Sequence, residues 1–302
     1  MEIIKVAPRG YCKGVVRAIN IAKEAVKQYP NEQIHVLGML VHNRYVMEAL
    51  QQLNIHAIDD KTKTREELLD QIHSGVVIFT AHGISPHVIK KAEEKGLKWI
   101  DASCPDVVKT QDIVKAYLQQ GYEIFYIGKK FHPEAEAVCS LDDHIHLIET
   151  AKDIPHHMQD SSIFVTNQTT MSMFDVQHIF EAIQEIYPNA VVCEEICNAT
   201  RIRQEAVAAL KGKQIDVLFV VGDPHSNNSN RLAQIGKEQG IPHVYLIDDV
   251  TQITTEQLNH VNKVAVTAGA STPTYLTNQV IHYLEHYETE KQLPTIHIQD
   301  IL

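Results

Sequence analysis

The chain has 302 residues, of which 44% are hydrophobic and 22% charged, and its formal net charge is −11. This balance is typical of a globular protein with two or three domains, and the acidic charge disfavours a general nucleic-acid binder. No apolar run approaches the ~20 residues of a membrane-spanning helix, and the first residues lack the apolar core of a signal peptide. We therefore expect a cytoplasmic protein with neither nucleic-acid nor membrane partners.

Short β-like runs alternate with helical patterns along the chain. The predicted strands are Ile3–Val6, Ile34–Leu37, Val76–Phe79, Glu123–Ile127, Ile163–Val165, Val217–Val221, Val244–Ile247 and Val264–Val266. The predicted helices cover residues 44–53, 86–95, 107–120, 173–187, 203–211, 229–239 and 273–286. Such alternation predicts an α/β fold with mainly parallel sheets, whose ligands bind at the carboxyl ends of the strands.

Three cysteines recur at a nearly constant interval. Cys12, Cys104 and Cys197 are 92 and 93 residues apart, and each precedes a helical stretch. After each cysteine a strand ends in glycine, with a polar residue four positions later, and a later strand ends in threonine before a small polar loop. A period of this length indicates a repeated domain. We expect three similar modules, residues 1–98, 99–194 and 195–285, arranged pseudo-threefold around a common centre, and a tail at 286–302.

The chemistry of three converging thiolates is limited. They can bind Zn²⁺ or an iron–sulfur cluster, and a four-iron cluster with three cysteine ligands leaves one iron open as a Lewis acid. An odd total of five cysteines disfavours a disulfide framework. The other two, Cys139 and Cys193, are expected to lie in the core. Spacing alone leaves Cys193, four residues before Cys197, open as an alternative third ligand.

Polar residues open several of the predicted helices. Unpaired backbone N–H groups and the helix dipole favour an anion such as a phosphate at these places. For any single residue an ordinary N-cap is the competing interpretation. The loops are His42-Asn43, Ala81-His82-Gly83, His132-Pro133-Glu134, Ser226-Asn227-Asn228-Ser229-Asn230 and Ala270-Ser271-Thr272.

Glu134 follows His132 by two residues, at the first turn of a predicted helix. A glutamate there can simply be favoured by the helix dipole. In an apolar pocket, however, desolvation would raise its pKa and fit it for general-acid catalysis. Glu136 is the nearest competitor, but it points to another side of the helix. Thr169 or Thr170 could relay a proton between the acid and a substrate hydroxyl.

These residues fall into motifs that resemble the LytB/IspH family of 4-hydroxy-3-methylbut-2-enyl diphosphate reductases. The motifs run in the family's order from residue 8 to about residue 285. They are Pro8-Arg9-Gly10-Tyr11-Cys12-Lys13-Gly14-Val15, Val41-His42-Asn43-Arg44, Ala81-His82-Gly83, Asp101-Ala102-Ser103-Cys104-Pro105, His132-Pro133-Glu134, Gln168-Thr169-Thr170-Met171-Ser172, Ile196-Cys197-Asn198-Ala199-Thr200, Asn228-Ser229-Asn230-Arg231-Leu232 and Thr267-Ala268-Gly269-Ala270-Ser271.

The resemblance implies a function for most of these positions. It implies a [4Fe–4S] cluster on Cys12, Cys104 and Cys197, which leaves Cys193 outside the ligand set. It implies reductive dehydroxylation of an allylic diphosphate to isopentenyl and dimethylallyl diphosphate, with Glu134 as proton donor and Thr169 in its relay. Ferredoxin or flavodoxin is the implied electron donor. The implied diphosphate contacts are His42, His82, Ser226, Asn228 and Ser271, with His132 nearby.

Two positions depart from the family's pattern. Asn227 stands where a second serine is common, so an amide replaces a hydroxyl contact to the diphosphate. Asn167 stands where threonine is common. Two other functions are compatible with the residues alone: a zinc hydrolase using the three thiolates with His42 or His132, and a redox sensor that binds a phosphometabolite.

Overall fold

The computed structural model describes residues 1–60, 62–158, 161–289 and 292–302. The chain divides into two compact units. Unit 1 comprises Met1–Val16, Val41–Leu53 and Asn198–Leu302, and unit 2 comprises Arg17–Leu40 and Asn54–Cys197. No helix among the described residues is long and apolar enough to cross a membrane.

Strands and helices alternate throughout the described residues, as the sequence pattern predicts. The strands are β1 (Glu2–Lys5), β2 (Ile34–Leu37), β3 (Ile55–Ile58), β4 (Val76–Phe79), β5 (Lys98–Asp101), β6 (Glu123–Ile127), β7 (Ile145–Ile148), β8 (Ile163–Asn167), β9 (Val191–Val192), β10 (Val217–Val221), β11 (His243–Ile247) and β12 (Lys263–Ala268). The helices are α1 (Lys13–Gln28), α2 (Arg44–Gln52), α3 (Arg65–Asp70), α4 (Pro86–Glu94), α5 (Pro105–Leu118), α6 (Pro133–Cys139), α7 (Met173–Ile186), α8 (Asn198–Ala208), α9 (Asn227–Glu238) and α10 (Thr274–Glu285).

The strands form three four-stranded parallel sheets of the same design. Unit 1 holds the sheet β1-β12-β10-β11, and unit 2 holds the sheets β3-β2-β4-β5 and β7-β6-β8-β9. In each unit 2 sheet the spatial order is second, first, third and fourth strand along the chain. The unit 1 sheet has the same order if β1 is counted as the fourth strand after β10, β11 and β12. The predicted α/β class with parallel sheets is confirmed.

The edge strand β1 shows how the sheets relate to the predicted modules. It pairs in parallel with β12, with Glu2 opposite Lys263 and Lys5 opposite Val266. The N-terminal strand therefore belongs to the sheet of β10 to β12, whereas the sequence-based division places it in the first module. The predicted boundary after residue 98 also falls within β5. The difference arises because the division follows chain order, whereas β1 pairs with a strand about 260 residues later in the chain.

The central strands are almost wholly buried. Every residue of β4 and β10 is buried, as expected for parallel strands covered by helices on both faces. In unit 1, Leu218 shares a core cluster with Leu232 of α9, and in unit 2, Val165 shares one with Phe180 of α7. Burying each such side chain contributes about 1.5–3 kcal/mol. These cores fix the strand ends from which the polar loops begin.

Three of the edge strands, β3, β5 and β7, were missed in the sequence. Each lies at the outer side of its sheet and contains residues of mixed burial, so none forms a uniform apolar run. The short helix α3 was also missed. It begins with a capping box between Thr64 and Glu67, which is a local signal of a helix start. The helix has only six residues, too few to show a helical periodicity in the sequence.

Candidate functional site

Thr169, in the loop after β8, binds the carboxylate of Glu134 through two hydrogen bonds in unit 2. The backbone N–H of Thr169 donates to Oε1 at 2.7 Å, and the Thr169 hydroxyl donates to Oε2 at 3.0 Å. Glu134 is 1% exposed and Thr169 3%. Burial raises the pKa of Glu134 to about 7, and the hydrogen bonds from Thr169 lower this pKa in part. A carboxyl with a pKa near neutrality can give up and take back a proton under physiological conditions.

The sequence competitor Glu136 has a different environment. Its Oε1 accepts a hydrogen bond from the backbone N–H of Arg65, at the start of α3, at 3.0 Å. Glu136 therefore fixes the packing of α3 and is not directed to Thr169. Tyr126 is instead the further neighbour of Glu134, with its hydroxyl 3.4 Å from Oε1. Complete burial, with Glu134 beside it, raises the pKa of Tyr126, so Tyr126 remains a neutral phenol.

Two histidines of unit 2 lie next to each other. His132 caps α6, and its Nδ1 accepts from the backbone N–H of Glu134 at 3.2 Å. In the neutral ring the proton therefore lies on Nε2. The His82 ring meets the His132 ring edge to face at 5.8 Å, and its Nδ1 lies 3.2 Å from the Thr80 hydroxyl. The two imidazole rings therefore lie side by side near the buried carboxyl, where they can act as hydrogen-bond donors.

Each of the three spaced cysteines follows the fourth strand of a sheet and is bound to the loop of the third strand. The Cys104 amide donates to the carbonyl of Ala81, and the Cys197 amide donates to that of Thr169. In unit 1 the Cys12 amide donates to the carbonyl of Ala270. The distances are 2.9, 3.0 and 2.9 Å. The three loops that the cysteine spacing identified therefore share the same backbone hydrogen bond.

All three side chains are half-buried thiols. The backbone N–H of Val15 donates to Cys12 Sγ at 3.5 Å. Gly10 is required in this loop because its φ is +78° and an added Cβ would lie 2.5 Å from the Thr274 hydroxyl oxygen. Arg203, which is buried, donates to the Gly10 carbonyl at 2.7 Å.

The other two cysteines pack against the core cluster of β6, β8 and α5, as predicted. Burial raises the pKa of Cys139 to about 11 and also raises that of Cys193. Among the described residues, no three His, Cys, Asp or Glu side chains group closely enough to hold one metal ion.

The polar loops of unit 1 meet at the carboxyl ends of β10 and β12. Ser226 caps the twelve-residue helix α9, whose first residues are Asn227 and Asn228. Asn228 is 5% exposed, and neither atom of its amide has a hydrogen-bond partner among the described residues. The Ser271 hydroxyl donates to the carbonyl of His42 at 2.9 Å, which joins two of the predicted contacts. A buried amide at a helix N-terminus without a partner is suited to an anionic ligand.

Asp223 is a residue that the sequence analysis missed. Its Oδ1 accepts from the backbone N–H of His225 at 2.8 Å, and its Oδ2 accepts from that of Arg44 at 3.1 Å. It is buried and therefore ties the start of α2, directly after His42, to the loop that carries Ser226. Its position after β10 could have indicated it, but its long-range partner on α2 left no sequence signal.

The two departures from the family's pattern have different environments. Asn167 is buried, and its amide joins the carbonyl of Gln168 to the backbone N–H of Glu195, which is a structural role. Asn227 is half-buried in the first turn of α9, beside Ser226. It thus has access to the same loop surface as Asn228.

Known proteins resemble this chain over almost its whole length. The family model described as "LytB protein" matches residues 3–285. A 4-hydroxy-3-methylbut-2-enyl diphosphate reductase from Anoxybacillus flavithermus is 50% identical over 291 residues, which cover 95% of this chain and 91% of the relative. The reductase from Bacillus cytotoxicus is 52% identical over 292 residues, with the same two coverages.

Solved structures agree with the fold. A Plasmodium falciparum E-1-hydroxy-2-methyl-but-2-enyl-4-diphosphate reductase matches with a TM-score of 0.86 at 29% identity and covers 98% of this chain and 95% of its own. A second structure, of an (E)-4-hydroxy-3-methyl-but-2-enyl diphosphate reductase described as the terminal enzyme of the non-mevalonate pathway, matches with a TM-score of 0.67 at 30% identity. It covers 95% of this chain and 100% of its own.

Proposed function

The chain belongs to the LytB family, and we propose that it is a reductase of (E)-4-hydroxy-3-methylbut-2-enyl diphosphate in the last step of the non-mevalonate isoprenoid pathway. The reaction takes two electrons and two protons, releases the allylic hydroxyl as water, and leaves isopentenyl or dimethylallyl diphosphate. The observation that carries the proposal is the buried Glu134 carboxyl, whose pKa is about 7. Thr169 donates two hydrogen bonds to this carboxyl and accepts one from the Cys197 amide.

The proton position on Glu134 follows from its two partners. Oε1 already accepts from the backbone N–H of Thr169 at 2.7 Å, so the acid proton resides on Oε2. Oε2 faces the Thr169 hydroxyl at 3.0 Å. Thr169 Oγ1 can accept this proton while passing its own proton to the substrate. Glu134 thereby acts as the general acid, and burial keeps water from competing for its proton.

The thiols of Cys12, Cys104 and Cys197 fit a [4Fe–4S] cluster. They are half-buried and placed alike in three repeated loops, and soft thiolates are the ligands that such clusters take. When bound, the cluster would supply the two electrons, one at a time, and an open iron that acts as a Lewis acid.

We assign the diphosphate to hydrogen-bond donors of the amide, hydroxyl and imidazole type. In unit 1 the Asn228 amide lies buried at the N-terminus of α9, and Ser226, Asn227, Ser271 and His42 surround the same loops. The helix dipole favours the diphosphate charge there. His82 and His132 of unit 2 are the further diphosphate contacts that the resemblance to the LytB family implies. His132 keeps Nε2 as its donor because Nδ1 is occupied.

The proposal is tested on protein purified without oxygen. About four irons and four sulfides per chain, and turnover of the hydroxymethylbutenyl diphosphate with reduced methyl viologen, are expected. Zinc without acid-labile sulfide, or a loaded protein that binds the diphosphate without releasing water and an isoprenoid diphosphate, would overturn it. We assign the role of physiological electron donor to ferredoxin or flavodoxin in the cytoplasm.

A further inference from the structure

The loop between β6 and α6 carries the most exposed large hydrophobic side chain of the described residues. Phe131 is 84% exposed and has a φ of +65°. Bulky residues rarely adopt this left-handed conformation, and such strain persists only where the surrounding structure imposes it. Both the exposed aromatic ring and the strained backbone are costly, yet neither is needed for the packing of the core.

The loop holds Phe131 outward through hydrogen bonds on either side. The Lys129 amide donates to Gln168 Oε1 at 3.1 Å, and the Lys130 amide donates to Glu149 Oε1 at 2.8 Å. The His132 amide donates to the Lys129 carbonyl at 3.1 Å and closes the turn. The exposure of Phe131 is therefore imposed by an anchored turn.

One cation lies over the ring, and a second lysine precedes it in the turn. Lys129 and Lys130 are exposed, and the Lys130 ammonium lies 5.2 Å from the centre of the Phe131 ring. Within the described residues Lys130 makes no ion pair, and the neighbouring Glu149 contacts its backbone only. In a chain with a net charge of −11, this is a local positive surface around an aromatic side chain. We name Lys129, Lys130 and Phe131 the Phe131 tip.

The Phe131 tip is connected to the buried acid and to one of the cysteine loops. Phe131 is followed by His132, whose ring binds the Glu134 amide. Glu134 is clasped by Thr169, and the Thr169 carbonyl accepts from the Cys197 amide. All these residues belong to unit 2. A continuous series of bonded residues in unit 2 therefore joins the Phe131 tip to the loop of Cys197, which is a proposed cluster ligand.

We propose that the Phe131 tip is the docking site of a small acidic electron-carrier protein. This inference rests on the proposed function, which requires electrons from outside the chain. Phe131 inserts into an apolar area of the carrier, and Lys129 and Lys130 pair with carboxylates at its rim. One aromatic anchor with a charged rim suits the small, weak interfaces of redox encounters. The lysines mainly accelerate association, which makes it dependent on salt.

The main test variant is Phe131→Asn. Asparagine removes the ring but adopts the left-handed conformation easily, so the variant should fold and should be at least as heat-stable as the native chain. The second variant is the double substitution Lys129→Glu and Lys130→Glu. Lys90→Glu is the matched control, because Lys90 is an exposed lysine of unit 2 on α4.

Three measurements on the cluster-loaded protein separate docking from chemistry. Turnover with reduced methyl viologen should be equal in all four proteins. Turnover with reduced ferredoxin and with reduced flavodoxin should show an about tenfold higher KM for the carrier in Phe131→Asn. Calorimetric binding of the oxidised carriers should weaken similarly, and the double lysine variant should lose its salt dependence.

Several results would overturn the docking proposal. These are an unchanged carrier KM and affinity in both variants, a native protein that neither carrier binds or reduces although viologen does, or the same loss in Lys90→Glu. A concentration-dependent dimer that disappears in Phe131→Asn would assign the tip to a second copy of the chain instead. Failure of viologen-driven turnover would contradict the proposed function, and carrier binding would still decide the docking proposal.

Discussion

Thr169 holds Glu134 by both carboxylate oxygens, with its backbone N–H on Oε1 and its hydroxyl on Oε2. The two donors have different consequences. The backbone donor is fixed, whereas the hydroxyl can reverse and accept a proton when Glu134 is protonated. The same residue offers its carbonyl to the Cys197 amide. Thr169 thus couples the acid to a cysteine loop.

Replacing the acid should abolish most turnover without affecting the thiol loops. Glu134→Gln retains the shape and an oxygen acceptor for the Thr169 amide, but it has no proton to donate. We expect kcat to fall roughly 100-fold or more, as is usual for loss of a general acid. The visible spectrum and the iron content should remain those of the native protein. Retained turnover in this variant would reduce Glu134 to a structural residue at the start of α6.

The pKa of Glu134 predicts a pH dependence of stability. Burial raises this pKa from 4.5 to about 7, so between these values the folded protein keeps a proton that the unfolded chain has lost. The free energy of unfolding must therefore fall as the pH rises through this range. Denaturant unfolding should show the native chain losing roughly 2 kcal/mol relative to Glu134→Gln between pH 5 and pH 8. An equal difference at both pH values would contradict the raised pKa.

The Thr169 hydroxyl lowers the pKa of Glu134, so its removal should raise that pKa further. In Thr169→Val the backbone donor remains, but the relay oxygen is lost. We expect a lower kcat and a pH–rate profile whose alkaline limb lies at higher pH. Thr169→Ser retains the hydroxyl and is the matched control. A valine variant with the native pH profile would show that the hydroxyl neither relays the proton nor tunes the acid.

Asp223 should act on substrate affinity more than on the chemical step. Its carboxylate joins the Arg44 and His225 amides and so aligns the loops that carry His42 and Ser226. Asp223→Ala removes the acceptor of two part-buried backbone hydrogen bonds and should cost about 1–3 kcal/mol of stability. We expect KM for the diphosphate to rise while kcat changes less and the iron content stays the same. An equal loss in kcat with unchanged KM would exclude this positioning role.

The sequence predicted the features of the fold and the site that depend on local patterns, and it missed those that depend on contacts between distant residues. The recurring Cys12, Cys104 and Cys197 predicted repeated modules because each cysteine lies in the same local strand–loop–helix pattern. The placement of β1 beside β12 could not be predicted, since parallel pairing across 260 residues leaves no periodic signal. Asp223 was missed for the same reason. Phe131 gave no signal, because its backbone angle depends on the anchored turn around it.

The C-terminal tail, for which the sequence indicated no role, contacts the loop that presents Cys12. Ile301 is 3% exposed, and its carbonyl accepts from the Tyr11 hydroxyl at 2.9 Å. Tyr275 bonds the tail twice more, at Thr295 and at His297. Burial raises the pKa of Tyr11, so this hydroxyl stays a donor at all physiological pH values. The tail therefore closes over the residue next to a proposed cluster ligand.

We expect Ile301→Ala to destabilise the chain by about 2–4 kcal/mol, because it leaves a cavity beside Tyr11. Hydrogen exchange in residues 9–13 should accelerate, and protein purified without oxygen should lose cluster iron faster than the native chain on exposure to a chelator. Leu293→Ala is the matched control, since Leu293 is an apolar residue of the same tail that is 41% exposed. Unchanged exchange around Cys12 in Ile301→Ala would show that the tail covers this loop without holding it.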